Sequence, residues 1–188
     1  YKNKWESYYE SKYIGEVGFH SLIGFSSGYA TAGRNIARQL DDQGIKLNYS
    51  YLYGTKYSEP AGSDIKVELI RRSRIMTAGG VQIVFGQGDV FNKNSGDYKI
   101  GATMLETDGL PKEWVEQANS MDEIWTCSNF NKSTFKNAGV TVPIYVMPLG
   151  IDPIYLNPQI EPFKTKYNMP INYLSVGEWG ERKNFLTL

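Results

Sequence analysis

Tyr98-Lys-Ile-Gly-Ala-Thr-Met-Leu105 opens the stretch whose reading decides the fold. It is a short, β-prone run with an apolar end and reads as a strand. Pro111 suits the first turn of a helix over 111–119. Glu123-Ile-Trp-Thr126 is the next strand. Ser128 is a natural N-cap for a helix over 129–138, and Gly139 is its stop. Pro143-Ile-Tyr-Val-Met147 is a further strand. Strands and helices alternate as in successive βαβ units. The fold class is therefore α/β: a Rossmann-like layered, mostly parallel sheet with helices on both faces.

The alternation extends toward the amino end. Ile14-Gly-Glu-Val-Gly-Phe-His20 reads as a first strand, and Gly24-Phe-Ser-Ser-Gly28 as a turn. Ala30, Ile36, Ala37 and Leu40 follow at helical spacing, closed by Gly44. Ile45 to Leu52 predicts a second strand. Residues 64–75 place Ile65, Val67, Leu69, Ile70 and Ile75 among charges, as on a surface helix. Val81-Gln-Ile-Val-Phe85 is a buried strand, and Gly86 to Asp97 a polar loop. That loop holds Asp89, Asn92, Asn94 and Asp97 without the register of a calcium loop, so turn chemistry accounts for them.

Composition narrows the classes. A chain of 188 residues can bury one good core, and 41% hydrophobic with 21% charged residues is ordinary for a globular protein. Lys+Arg and Asp+Glu both number 20, so no global field favours nucleic acid, and any anion site is local. No apolar run reaches the ~18–20 residues of a membrane-spanning helix. The single Cys127 ends the apolar run Ile124-Trp-Thr-Cys127 and reads as a small buried hydrophobe. A reducing compartment fits, and a cytoplasmic location is expected. His20 is the single histidine, at a strand end, with a structural role. No metal or cofactor is predicted. The 14 tyrosines serve packing or, alternatively, sugar stacking. Asn48-Tyr-Ser50 and Asn131-Lys-Ser133 match a glycosylation triplet by chance.

Ligands of open parallel sheets collect at the carboxyl ends of strands. The Gly24–Gly28 turn lies there. It is either a plain connection or a place where backbone N–H groups at a helix start meet an anion. Glu106-Thr107-Asp108 lies there too. A carboxylate at that position can bind sugar hydroxyls or steer a proton, which suits Glu106; Asp108 also has the chemistry of a helix cap. Further on, Pro153, Pro158, Pro162 and Pro170 mark a semi-rigid connector. Ile171 to Val176 then begins a new strand. Gly177-Glu-Trp-Gly-Glu-Arg-Lys-Asn184 brings Arg182 and Lys183 to what reads as a helix start. They form either a phosphate grip or a solvated pair offset by Glu178 and Glu181.

Taken in order, Gly28-Tyr-Ala-Thr-Ala-Gly-Arg34, Glu106-Thr-Asp-Gly-Leu-Pro111, Met121-Asp-Glu-Ile-Trp125 with Ser128, Pro148-Leu-Gly-Ile-Asp152, and Leu174-Ser-Val-Gly177 with Arg182-Lys183 resemble the retaining glycosyltransferases of family 4 (group 1), of the GT-B fold. The resemblance implies two Rossmann-like domains facing across a cleft, the first binding the acceptor and the second a nucleotide-sugar donor. It implies residues 1–152 as the acceptor-side domain, 153–170 as linker, and 171–188 as the first strand and helix start of the donor domain.

On that likeness Glu106 is the catalytic-cleft residue, where many members carry a histidine. Ser27, Gly28, Tyr29 and Asp108 face the acceptor, and Arg182 and Lys183 meet the donor diphosphate. Glu178 departs from the family, which often has an arginine there, and the family's Glu-x7-Glu signature does not occur before Leu188. The implied partners are a nucleotide sugar and a saccharide, lipid-linked or protein hydroxyl acceptor. By itself the 188-residue piece is expected to transfer little or no sugar. Two other readings stand beside this: a non-catalytic glycan- or protein-binding module, and a GT-B sugar-nucleotide epimerase.

Overall fold

The computed structural model describes residues 16–25, 27–54, 79–151, 157–161, 171, 173–177 and 179–187. The expected helix over 64–75 lies outside them. The chain divides into two units, Tyr1–Gly150 and Ile151–Leu188.

In the first unit the order is β1 (Glu16–Ser21), α1 (Gly28–Asp42), β2 (Lys46–Tyr51), β3 (Val81–Phe85), a 3-10 turn (Gly88–Lys93), β4 (Tyr98–Thr103), α2 (Lys112–Asn119), β5 (Glu123–Thr126), α3 (Asn129–Asn137) and β6 (Ile144–Val146). The strands form one six-stranded sheet, ordered β2-β1-β3-β4-β5-β6. All its pairings are parallel. This is the layered α/β architecture expected from the alternation.

Strand periodicity sorts the core into two layers. Ile83 and Phe85 share one face with Phe19, Leu47, Tyr49, Ile100 and Ala102, packed with Ala32 and Ala37 of α1. Val84, Ile124 and Ile144 belong to the other cluster, with Phe91, Ala118 of α2 and Phe135 of α3. Each large apolar side chain fully buried there contributes about 1.5–3 kcal/mol.

Helix ends follow the residues that punctuate them. Ser27 and Ser128 hydroxyls accept from the Ala30 and Asn131 backbone N–H groups, each at 3.2 Å. Gly44 (φ 79) and Gly139 (φ 101) take the left-handed backbone. Behind them Ile45 N donates to Leu40 O and Val140 N to Phe135 O, both at 3.0 Å, closing α1 and α3. Pro111 occupies the cap position of α2 with no side-chain capping bond, so Asp108 does not cap that helix.

The loop expected over 86–97 contains the 3-10 turn, which is a correction to the sequence reading. Its cause is tertiary. The Trp114 ring lies against Gly88, and Gln117 of α2 accepts from Asn92 N at 3.0 Å and donates to Asp89 O at 2.9 Å. Asn94 then donates to Gln82 O (2.9 Å) and Ile100 O (3.2 Å), and Asp97 accepts from Gly80 N at 2.8 Å. Both Asn48 and Asn131 are buried, which closes them to glycosylation.

In the second unit, Ile171, Tyr173, Leu174 and Val176 are 65%, 94%, 88% and 87% exposed. The strand expected over Ile171–Val176 is absent among the described residues, because a strand exists only by hydrogen bonding to a neighbour. Two 3-10 turns, Glu181–Lys183 and Phe185–Thr187, occupy the place of the expected helix start. Asn184 (φ 51) joins them. The Trp179 ring stacks on Phe185 at 5.1 Å and 4°.

Candidate functional site

Strand order locates the site. β1 lies between β2 and β3, so the connections leaving β1 and β3 diverge: α1 packs on one face, the 3-10 turn on the other. A crevice outside the carboxyl ends of two such strands is where open α/β sheets bind ligands.

The loop from β1 into α1 is held from within its own helix. Arg34 donates to Ile23 O (2.8 Å) and Phe25 O (3.1 Å) through one nitrogen, and to the Thr31 hydroxyl (3.0 Å) through the other. Gly33 lets α1 approach the strand end: a Cβ there would lie 2.7 Å from Ser21 Oγ and 3.1 Å from Leu22 O. Ser27 caps the helix, and a Cβ built on Gly28 meets no heavy atom within 4 Å, so the helix start faces open space. The helix dipole makes that end partly positive.

Tyr29 reaches from the first turn of α1 to the end of β4. Its hydroxyl donates to Met104 O at 2.8 Å and accepts from Met104 N at 3.2 Å. The Thr103 hydroxyl lies 3.2 Å away, and the ring tilts against Phe85 at 5.5 Å. Burial, above all, raises the Tyr29 pKa, so the phenol stays protonated.

Next along the chain, Asn131 of α3 grips Leu105. Its Nδ2 donates to Leu105 O at 2.6 Å, and Leu105 N donates to its Oδ1 at 3.4 Å. The Cys127 thiol, half-buried rather than buried as expected, also donates to that Oδ1 at 3.2 Å. The strap leading to Glu106 is thus fastened by side chains from two helices.

Glu106 is exposed at the end of this strap, within electrostatic reach of the Tyr29 phenol. Asp108 is exposed two residues on, beside a turn in which Thr107 Oγ1 donates to Gly109 O at 3.0 Å. Ser27, Gly28, Tyr29 and Glu106 therefore come to one edge of the sheet. Lys183 and the backbone of Arg182 belong to the 3-10 turn of the second unit, with the Lys183 stem near Gly177; Glu178 lies outside the described residues.

His20 is buried and structural. The Ser95 backbone N–H donates to Gln82 Oε1 (3.1 Å), and Gln82 Nε2 donates to Gly79 O (3.2 Å), which fixes the amide's orientation. His20 Nε2, 3.0 Å from that same Oε1, must carry the proton. Desolvation, ahead of a nearby Lys93 charge, lowers the His20 pKa. Among the described residues no group of three or more His, Cys, Asp or Glu could hold a metal ion, and no helix is long and apolar enough to cross a membrane.

Sequence reasoning passed over Arg34 as a loop clamp and Asn131 as a strap clamp. A glycine in mid-helix was one available signal, since Gly33 costs α1 about 0.8–1.0 kcal/mol against alanine and must serve packing. Asn131 left no such signal, for its partner lies 26 residues away. No family model matches the chain, and no curated protein matches it.

Proposed function

We propose that this chain is the acceptor-side part of a retaining glycosyltransferase that moves a sugar from a nucleotide-sugar donor to a hydroxyl acceptor. The reading is carried by the fastening of Glu106 and the α1 start to one edge of a parallel sheet, through Tyr29 on Met104 and Asn131 on Leu105. Glycosyl transfer breaks the bond between the sugar and the diphosphate and forms a new bond to the acceptor oxygen, whose proton leaves with the released nucleoside diphosphate. In this proposal Glu106 accepts a hydrogen bond from the acceptor hydroxyl and orients it, and Ser27, Gly28 and Asp108 line the acceptor's approach. Arg182 and Lys183 would meet the negative charge that grows on the leaving diphosphate. Tyr29 acts as a positioning group, since its hydroxyl is spent on the Met104 backbone.

The test is release of nucleoside diphosphate from UDP-, ADP- or GDP-hexoses with hydroxyl acceptors present, using protein that carries this chain within its own reading frame. Turnover with at least one donor is expected, and Glu106→Gln should lower kcat about 100-fold or more. No transfer from any donor would end the proposal. Unchanged turnover in Glu106→Gln would remove Glu106 from the chemistry. Conversion of the donor sugar without any acceptor would favour an epimerase, and sugar binding without turnover a recognition module.

A further inference from the structure

The carboxyl edge holds a second constellation, away from the strap. After β2 the chain folds over the end of β1, with Leu52 N donating to Ser21 O at 3.0 Å. This carries Tyr53 to the end of β3, where its hydroxyl accepts from Gln87 N at 3.4 Å. Phe25, whose carbonyl Arg34 holds, stacks on Tyr51 at 6.0 Å and 20°. Phe25 is 38% exposed and Tyr53 43%, although both are tied to fixed backbone. Phe25 and Tyr53 are thus two half-exposed aromatic groups near the switch between β1 and β3, and a ring already held in place gives up little entropy when a ligand lies on it.

Polar groups around the rings select the ligand. The Tyr53 hydroxyl accepts from the Gln87 amide and keeps its own proton to donate; burial, foremost, raises its pKa and holds it as a donor. Asp89, exposed and within electrostatic reach of that hydroxyl, supplies an acceptor and a negative charge. Lys93 donates to Leu52 O and lies over one face of the Tyr53 ring, 5.5 Å from its centroid, so the nearby cation is already engaged there and leaves the ring's other face to a ligand. An acid beside the rim and a cation already engaged disfavour a phosphate or carboxylate. What fits is a neutral ring with an apolar C–H face and hydroxyls on its edge.

We propose that Phe25, Tyr53 and Asp89 form a saccharide-binding subsite, in which a neutral pyranose lies on the two exposed rings, the Tyr53 hydroxyl donates to a sugar oxygen and Asp89 accepts from a sugar hydroxyl. Calling this the acceptor's subsite rests on the transferase reading; sugar binding there does not.

The protein is titrated with methyl glucosides, galactosides and mannosides, with maltose and with cellobiose, followed by amide NMR, with inorganic phosphate as the comparison. At least one glycoside should shift the Gly24, Gly54 and Gln87 amides to saturation, and phosphate should not. Tyr53→Ala should weaken that binding roughly tenfold or more, and Tyr53→Phe and Asp89→Asn each severalfold. Phe25→Ser gives a second test of the platform should Tyr53→Ala fail to fold. Absence of saturable shifts with every glycoside overturns the subsite. So does phosphate binding at these amides, or full affinity in a folded platform variant. Glycoside binding lost in Tyr53→Ala, with no sugar transfer by the parent protein, sinks the transferase and leaves the subsite standing. Transfer with the acceptor KM unchanged in Tyr53→Ala does the reverse.

Discussion

Val81-Gln-Ile-Val-Phe85 and Ile171-Asn-Tyr-Leu-Ser-Val176 are alike as sequence: short, rich in β-formers and uncharged. The first is a central strand, flanked by β1 and β4, with Ile83, Val84 and Phe85 buried. The second makes no strand among its described residues, and its Leu174 and Val176 lie almost fully in water. The difference teaches that local preference proposes a strand and neighbouring backbone makes one. Where β1 and β4 supply hydrogen bonds on both sides, the apolar run becomes core.

The comparison breaks most sharply at the core. Phe135 is fully buried against both α2 and the sheet's second face. Phe135→Ala should cost about 3–5 kcal/mol, read from urea unfolding. A loss below 1 kcal/mol on that scale would mean the first unit is no better packed than the second. Gly33→Val comes next. Its Cβ would press on Ser21 Oγ and the Leu22 carbonyl, so a loss of about 1–3 kcal/mol is expected in the same assay, with the amides of the β1–α1 loop shifting.

Acid sharpens the contrast through His20. Its folded-state pKa is lowered by burial, so as the pH falls the unfolded chain takes up the proton first, near 6.5. Stability attached to His20 is therefore whole above that value and declines as the pH drops through it. The urea midpoint should be lower at about pH 5.5 than at about pH 7.5, and His20→Gln should flatten that slope. A slope unchanged in His20→Gln would assign the acid sensitivity elsewhere. The smallest effect belongs to the second unit. Leu174→Ser should change the stability read by urea unfolding by no more than about 0.5 kcal/mol, because that side chain is 88% exposed. A larger loss would show that Leu174 is buried in solution.

Much of the site was legible in its address but not in its wiring. Ser27, Gly28 and Glu106 stand where the sequence leaves local marks: a Gly/Ser turn before a helix, and a carboxylate just past an apolar run. Tyr29 was placed at the same edge, yet its role as a tie to Met104 depends on a partner 75 residues away. Nothing local marks Arg34 as the residue whose guanidinium holds two loop carbonyls, 11 and 9 residues back along the chain. The segment over 86–97 reads as a polar loop with turn chemistry, without its 3-10 turn, because its organiser, α2, follows it by a whole strand.

By itself the sequence determined what depends on near neighbours along the chain: the run of β-prone and helical segments, the serine caps, the glycine stops, and hence the parallel α/β class. Tertiary structure alone decided the strand order with its switch between β1 and β3, the Asn131 and Arg34 clamps, the turn at Gly88–Lys93, and which of two similar apolar runs became a strand. The reason is physical. Caps and periodicity are satisfied within a few residues of backbone, whereas pairing, burial and long-range hydrogen bonds need a second piece of chain that only the folded molecule brings within reach.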